Sequence, residues 1–191
     1  MARRILIVQG HPDPADEHLC HALADAYAEG ARAAGHEVRR IEVARLDVPL
    51  LRSKADFDAG EPPPVARLGQ QAIEWAEHLV IVYPLWLGTM PALLKGWLEQ
   101  VLRPGFAFEV GGLGWKPRLR GRSARVVVTM GMPALAYRLF YFSHSLRSLE
   151  RNILKFVGVA PVRHTVVGGV DALRDAATWL DRLRRLGAAA R

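Results

Sequence analysis

Residues 80–108 read VIVYPLWLGTMPALLKGWLEQVLRPGFAF, and this stretch decides the fold. It begins with an apolar run that is typical of a strand buried on both faces of a sheet. Residues 84–90 then form a loop without any charged side chain, and Pro91 suits the first position of a helix because its φ is fixed and it has no N–H. Such a loop offers backbone N–H groups and an apolar surface. It therefore favours a planar aromatic ligand with polar edges over a sugar, a metal or a peptide.

Strand-like and helix-like patterns alternate along the rest of the chain. The predicted strands are residues 3–9, 37–43, 79–83, 125–129 and 162–167. The predicted helices are residues 19–34, 65–77, 92–102, 135–156 (largely helical and aromatic) and 172–186. Residues 44–64 are predicted to be a long irregular connection, and residues 111–122 a glycine- and arginine-rich excursion. Strands that alternate with helices predict a parallel sheet, because each return crossover needs a helix.

The composition indicates a small protein of the reducing cytoplasm. With 191 residues and 50% hydrophobic content, we expect a single domain, residues 1–191, with a sizeable core. Cys20 is the one cysteine, so no disulfide framework is expected. The N-terminal apolar run is too short for a signal peptide, and no run is long enough to cross a bilayer. We therefore predict a cytoplasmic protein without membrane insertion.

The net charge of +7 raises the question of an anionic partner. The arginines are spread along the chain, and the densest groups, at residues 118–122 and 182–185, fall in a predicted loop and the terminal helix. No nucleic-acid motif accompanies them. We therefore predict no nucleic-acid binding, and interpret the charge as solvated surface, part of which attracts the phosphate of a pyridine nucleotide.

Residues 83–108 carry a long family resemblance. Their pattern, Y-P-L-W-x-x-x-M-P-A-L-L-K-G-W-L-E-Q-V-L-x-P-G-F-A-F, resembles the flavin loop and following helix of the quinone-reductase branch of the flavodoxin-like family. That branch contains NAD(P)H:quinone oxidoreductases, modulator-of-drug-activity proteins and flavin-bearing ancillary subunits of potassium efflux systems. The resemblance implies an α/β, flavodoxin-like three-layer sandwich, with a five-stranded parallel sheet in the order 2-1-3-4-5 and helices on both faces. The alternative is a buried strand–loop–helix that serves only packing.

In that strand order the ligand site lies where the first and third strands part, at their carboxyl ends. Three loops leave the first, third and fourth predicted strands there: the first loop, residues 11–18, the second loop, residues 84–90, and the third loop, residues 130–134. We expect them to converge on one crevice.

The first loop is placed to hold a phosphate, because it precedes a helix N-terminus. The resemblance implies that His11 contacts the flavin phosphate, and it aligns a Ser-Phe-Asn-like triplet of the family with His18, Leu19 and Cys20. The hydroxyl and amide of that triplet are missing here, so His18 is the replacement donor and Cys20 is expected to act as a small packing residue. Alternatively, both histidines are ordinary polar loop residues.

The second and third loops are expected to hold the flavin ring. Backbone amides near Trp86 to Gly88 would reach the N5 and pyrimidine edge, with Pro84, Leu85 and Leu87 completing the platform. Relatives usually carry aromatic residues at positions 87 and 88, so their substrate preference does not carry over. In the third loop the motif T-M-G-M matches the Thr-Thr-Gly-Gly of the family; this assigns Thr129, Met130 and Gly131 to the flavin edge.

The resemblance also implies two catalytic residues. Tyr137 stands at the spacing of the family's tyrosine that lies over the flavin and assists hydride transfer. Its histidine partner would fall on Ser143, so His144 takes that role only with a shift of one residue. The alternative is that Tyr137, Phe140, Tyr141 and Phe142 form an apolar helix face at a dimer interface.

These expectations together predict an oxidoreductase. NAD(P)H would pass a hydride to bound FMN (or, alternatively, FAD), and a quinone or similar flat acceptor would then take two electrons at the same face, in a ping-pong cycle. The resemblance implies a homodimer whose second subunit completes the pocket. Two other functions stay open: a flavin-binding ancillary subunit of a membrane ion-efflux system, and a one-electron flavodoxin, which the basic charge disfavours.

Overall fold

The computed structural model describes residues 1–15, 17–111, 114–173 and 176–191. Its parallel sheet has the strand order β2-β1-β3-β6-β7, which is 2-1-3-4-5 when the five sheet strands alone are counted, so the predicted order is confirmed. These strands are β1 (Arg4–Gln9), β2 (Glu37–Glu42), β3 (His78–Pro84), β6 (Ser123–Met130) and β7 (Val162–Gly168). The remaining two, β4 (Phe108–Gly111) and β5 (Gly114–Pro117), form a separate antiparallel hairpin.

Helices cover both faces of the sheet. They are α1 (Leu19–Ala33), α2 (Lys54–Ala59), α3 (Pro64–Trp75), α4 (Ala92–Val101), α5 (Ala134–Leu139), α6 (His144–Ser148) and α7 (Ala177–Ala188), with a π-helix at Leu149–Leu154 and 3₁₀ turns at Val43–Arg45 and Val170–Ala172. One core lies between the sheet and α1 with α7, and the other lies beneath α3, α4 and residues 134–154. Ile5 and Ile7 belong to the first core and Leu6 and Val8 to the second, because successive strand side chains point to opposite faces. The predicted three-layer sandwich is therefore confirmed.

Strand β3 sits at the centre and is buried along its whole length. It pairs with β1 on one side and β6 on the other. The carboxyl end of β3 thus opens beside the ends of both neighbours, and the second loop leaves from that point. This position makes the stretch that follows β3 the middle of the crevice.

Two predicted irregular segments contain regular structure. Residues 44–64 include α2, whose start is capped by Ser53, since the Ser53 hydroxyl accepts a hydrogen bond from the Asp56 amide at 3.1 Å. Residues 111–122 include β5, which pairs with β4 across the hairpin. Gly112 and Leu113, between these strands, lie outside the described residues. The prediction of an irregular connection was wrong for residues 44–64, and the excursion predicted for residues 111–122 contains a strand that was not predicted, because short elements with few apolar residues leave little periodicity.

Helix boundaries also differ from the predicted ones. Pro91 precedes α4 as its N-cap instead of occupying the first helical position. The helix predicted for residues 135–156 is interrupted between α5 and α6 by two consecutive left-handed residues, Phe142 (φ 49°) and Ser143 (φ 51°), and α6 continues directly into the π-helix. The last helix begins at Ala177, five positions after the predicted start at 172, and residues 174 and 175 lie outside the described ranges. In the part of the chain that is described, no helix has the length and apolar character needed to cross a bilayer.

His78, at the start of β3, makes the fold sensitive to acid. Its side chain is 2% exposed, and burial, followed by the cations around it, lowers its pKa from 6.5 to about 3. His78 therefore binds a proton at a higher pH in the unfolded chain than in the native state. Its contribution to the free energy of unfolding is fully present above pH 6.5 and is lost as the pH falls towards 3. We expect His78 to contribute a loss of about 2 kcal/mol in the free energy of unfolding between pH 6.5 and 4.5.

Urea unfolding at several pH values measures this contribution. His78→Gln removes the titrating group, so the pH dependence of its unfolding free energy should be shallower than that of wild type by this amount. His164→Gln is the matched control, because His164 is exposed. Equal pH dependence in wild type and His78→Gln would show that His78 is not the acid-sensitive group.

Candidate functional site

The three predicted loops meet at the carboxyl edge of the sheet. The His11 and Trp86 rings lie edge to face with centroids 5.8 Å apart, which joins the first loop to the second. The Leu85 amide donates to the Thr129 carbonyl at 2.7 Å, which joins the second loop to the start of the third. The Cys20 thiol and the Thr129 hydroxyl are hydrogen-bonded at 3.2 Å and tie α1 to β6. Within the first loop, Asp16 lies outside the described residues.

A cleft of about 620 Å³ opens between the second loop, the third loop and the segment around α5 and α6. Its walls are mostly apolar or aromatic, and its volume lies in the range of small-molecule sites. It is lined by Leu85, Leu87, Gly88, Met132, Tyr137, Phe140, Tyr141, Phe142, His144 and Ser145. The cleft thus contains Leu85, Leu87 and Gly88 of the predicted platform together with both predicted catalytic residues.

The second loop is a tight turn at the rim of this cleft. The Trp86 amide donates to the Thr89 carbonyl at 2.9 Å, and the Thr89 amide donates to the Trp86 carbonyl at 3.0 Å. Between them, Leu87 (φ 44°) and Gly88 (φ 82°) are both left-handed and exposed. Their two amides have no acceptor among the described residues. The turn therefore presents two unpaired N–H donors, whereas the Trp86 amide is already used.

Trp86 and Pro84 differ in their surroundings. The Trp86 side chain is 50% exposed, so Trp86 is not a core residue. Pro84 is buried as the last residue of β3 and pairs in register with Thr129. Pro84 thereby fixes the level at which the second loop leaves the sheet.

The first loop folds around Asp13. The His18 Nε2–H donates to the Asp13 carboxylate at 2.9 Å, the Asp13 amide donates to His11 Nδ1 at 3.1 Å, and the His21 Nε2–H donates to the Asp13 carbonyl at 3.2 Å. The His11 and His18 rings are stacked with centroids 3.9 Å apart. Burial first, and then the neighbouring His18, lower the pKa of His11. Three imidazoles thus lie together just before and within the first turn of α1.

Among the described residues, the N-cap residue of α1 provides no side-chain cap. His18 is its extended N-cap residue and makes no capping hydrogen bond. The first amides of a helix have no partners within the helix, and the helix dipole adds positive potential there. Beside these amides, Cys20 is buried, and burial raises the pKa of its thiol to about 12. Cys20 is thus a protonated packing residue, and an anion would meet the amides and the imidazoles.

The third loop approaches its neighbours closely. Thr129 and Met130 are buried at the end of β6, and Met132 is half-buried in the wall of the cleft. A Cβ atom on Gly131 would lie 2.4 Å from the Asp171 carboxylate, so a larger residue would force that carboxylate to move. Asp171 therefore brings a negative charge close to the third loop.

Tyr137 anchors the segment that closes the cleft. Its side chain is 2% exposed, its hydroxyl is hydrogen-bonded to the Ser145 hydroxyl at 2.8 Å, and it accepts a hydrogen bond from the Leu146 amide at 3.1 Å. His144 also lines the cleft and is exposed, but Ser145, not His144, is the side-chain partner of Tyr137. The structure therefore brings both predicted residues into the cleft without pairing them.

Tyr137→Phe is expected to lower the free energy of unfolding by about 1–2 kcal/mol. The change leaves the ring in place and removes only the hydroxyl, so the buried Leu146 amide loses its acceptor. Urea unfolding measures the loss. Tyr141→Phe is the control, because Tyr141 is 50% exposed. If the two variants were equally stable, the hydroxyl of Tyr137 would have no anchoring role.

Two residues of the site were not singled out from the sequence. His21 follows His18 by three positions, a helical spacing that places both in the same turn. The sequence pattern could therefore have predicted that His21 lies beside His18. Ser145 follows Tyr137 by eight positions and meets it only because the left-handed residues at 142 and 143 turn the chain. No periodic pattern in the sequence predicts this turn of the chain at residues 142 and 143.

Comparison with known proteins gives relatives of two kinds. A ribosyldihydronicotinamide dehydrogenase-like protein, traD of Penicillium crustosum, is 31% identical over 155 residues, which cover 67% of this chain and 57% of traD. The glutathione-regulated potassium-efflux system ancillary protein KefG of Yersinia enterocolitica is 48% identical over 64 residues, which cover 32% of this chain and 33% of that protein. The matches to curated relatives thus span about half of the relatives' own length.

A solved structure resembles the chain over nearly its whole length. The NAD(P)H:quinone oxidoreductase from Methanothermobacter marburgensis superimposes with a TM-score of 0.82 at 26% identity, covering 98% of this chain and 96% of that one. The family model described as flavodoxin-like fold matches residues 3–188. The matched residues include all five strands of the parallel sheet and the three loops described above. This chain belongs to the flavodoxin-like fold family.

Proposed function

We propose that the chain is a flavin-dependent NAD(P)H oxidoreductase that reduces quinones or similarly flat acceptors. The observation that carries the proposal is the cleft of about 620 Å³, which has aromatic and apolar walls and two unpaired amides at its rim. The oxidoreductase names of traD and of the Methanothermobacter marburgensis enzyme support it.

The residues present fit a flavin. The amides of Leu87 and Gly88 have no protein acceptor and suit the polar edge of the ring, while the apolar wall suits its faces. Thr129, at the end of β6, would hold the ring edge from the other side, together with Met130 and Gly131. Amides at the start of α1, with His11 and His18, would hold a phosphate. A site for one terminal phosphate favours FMN over FAD.

A bound flavin supplies the ability to accept a hydride and to release two electrons. The amides of Leu87 and Gly88 are fixed by the turn, so they would stabilise negative charge at the ring edge without reorganising. Tyr137 holds the wall of the cleft in place, and the exposed aromatic side chains beside it would exclude water from a bound flat ligand. His144 would give a proton to the reduced acceptor.

The shape of the cleft indicates how two substrates are handled. One open apolar face admits one flat ligand at a time, so NAD(P)H and the acceptor would take turns, which predicts ping-pong kinetics. Phe140, Tyr141 and Phe142 are exposed, with Phe140 at 77%. We propose that a second copy of the chain covers this aromatic segment and completes the pocket in a homodimer, in a cytoplasmic protein.

Purified protein tests the proposal directly. We expect a yellow protein whose absorbance matches oxidised flavin, and denaturation should release FMN, as identified by mass. NADH and NADPH oxidation should accelerate with quinone, azo and nitro acceptors, and initial rates should give parallel double-reciprocal lines. A colourless protein that takes up neither FMN nor FAD would overturn the flavin assignment. Flavin uptake without any turnover would overturn the enzymatic assignment alone.

The local similarity to KefG supports a second candidate, a flavin-binding ancillary subunit of an ion-efflux system. In this second function the chain would bind a membrane partner, and the presence or absence of its bound flavin would act as a signal. Co-purification with a tagged efflux channel, beside the turnover assay, separates the two functions. Channel binding with no acceptor-dependent turnover would favour the ancillary role.

A further inference from the structure

A second pocket lies at the amino edge of the sheet, opposite the three loops. It encloses about 540 Å³ and is built from residues at or next to the starts of β1, β2, β3, β6 and β7 and at the end of α7. We call it the amino-edge pocket. Its lining includes Arg3, His36, His78, Ser123, Arg163 and Arg191. The pocket shares no lining residue with the cleft proposed for the flavin.

The amino-edge pocket gathers arginines that have no aspartate or glutamate partner among the described residues. Arg3 and Arg163 line it, and Arg125 lies buried behind it. None of these three forms an ion pair with any aspartate or glutamate of the described residues. Arg125 donates instead to the Thr165 hydroxyl, at 2.8 Å, and to the main-chain oxygen of Arg191. Other arginines of the surface do form ion pairs, for example Arg184 with Glu29 at 2.8 Å.

His78 lies at the buried side of the pocket with unused hydrogen-bonding capacity. Its Nδ1 is hydrogen-bonded to the Ser123 hydroxyl at 2.8 Å, whereas its buried Nε2 has no partner among the described residues. Buried polar atoms in folded proteins are nearly always paired, so an unpaired one requires an explanation. All the charges that shift the pKa of His78, those of Arg3, Arg125, Arg163 and His36, are cationic. These groups make the electrostatic potential at His78 positive.

We propose that the amino-edge pocket binds a small phosphorylated anion carrying at least two negative charges. Arginine guanidinium groups match phosphate geometry by donating paired N–H bonds. In the described part of the chain, Arg3 and Arg163 have no acidic side-chain partner and provide two such groups, although one N–H of Arg3 also donates to the Ala190 carbonyl at 3.5 Å. A volume of about 540 Å³ exceeds the space that a single inorganic phosphate needs, so a pyrophosphate or a phosphate ester is the fitting class. This site goes beyond the proposed redox function and does not depend on it.

Isothermal titration of the flavin-saturated protein with inorganic pyrophosphate, at constant ionic strength, tests the site. Saturation with flavin keeps pyrophosphate away from the phosphate position at α1. We expect one binding event in wild type, weakened about tenfold for each arginine in Arg3→Ala/Arg163→Ala, the size of one lost charge-assisted hydrogen bond. Arg52→Ala/Arg151→Ala is the matched control, because it removes the same charge from exposed positions outside the pocket and should bind as wild type does.

A second readout locates the ligand without any substitution. The ring ¹⁵N resonances of His78 should shift on addition of pyrophosphate, while those of the exposed His164 should not. Replacing pyrophosphate with a sugar phosphate distinguishes an inorganic polyphosphate from a phosphate ester as the better ligand. No binding in wild type, equal weakening in both double variants, or an unmoved His78 resonance would each overturn the proposal.

Discussion

Replacing Gly30 with leucine is expected to lower the free energy of unfolding by about 4 kcal/mol, the upper end for single substitutions. Helices α1 and α7 meet backbone to backbone at this point: a Cβ atom on Gly30 would lie 2.0 Å from the main-chain oxygen of Arg184. On the facing helix, a Cβ atom on Gly187 would lie 2.1 Å from the Tyr27 carbonyl oxygen. Neither neighbour is a flexible side chain, so only separation of the helices relieves the clash. Leucine is a better helix former than glycine by roughly 1 kcal/mol, too little to offset that separation.

Urea unfolding with a matched control isolates the packing effect. Ala33→Leu adds a leucine to the same helix at an exposed position, so its unfolding free energy should stay near that of wild type. Undocking of α7 should also expose Leu183, which is fully buried, and so raise the binding of a hydrophobic dye. Equal stability of Gly30→Leu and Ala33→Leu would mean that the two helices can part at little free-energy cost.

The order of the sheet could be predicted because local patterns and chain connectivity agree. Continuous apolar runs such as residues 79–83 mark strands with both faces covered, and intervening helices require parallel crossovers. The family resemblance over residues 83–108 then supplied the strand order. The same two facts place three loops at one edge, where the His11–Trp86 contact joins the first to the second and the Leu85–Thr129 hydrogen bond joins the second to the start of the third.

Other features depend on contacts between distant residues and leave no periodic signal. The hairpin of β4 and β5 gains its place when Trp115 stacks on Phe156, with centroids 5.3 Å apart, a contact across more than forty positions of sequence. The break between α5 and α6 needs left-handed backbone at Phe142, a conformation that phenylalanine rarely adopts, so its sequence argued for a continuous helix. The partner of Tyr137 followed from that break and could not be predicted before it.

Gly88→Pro in the second loop is expected to weaken flavin binding about a hundredfold. The sequence predicted that this loop holds the flavin ring, but it did not specify the left-handed turn that exposes the amides. Proline removes the unpaired N–H of residue 88 and cannot adopt φ 82°, so the turn between Trp86 and Thr89 must open. Fluorescence titration with FMN measures the loss. Gly88→Ala is the control, because alanine keeps the N–H and shares the strain of φ 82°, so its affinity should fall less than that of Gly88→Pro. A Cβ atom on Gly88 meets nothing within 4 Å, so in both variants the backbone strain stays in this exposed turn, and the two urea midpoints should lie only slightly, and equally, below that of wild type. Full flavin affinity in a folded Gly88→Pro protein would move the ring away from this turn, whereas equal losses in the two variants would assign the effect to loop shape instead of the amide.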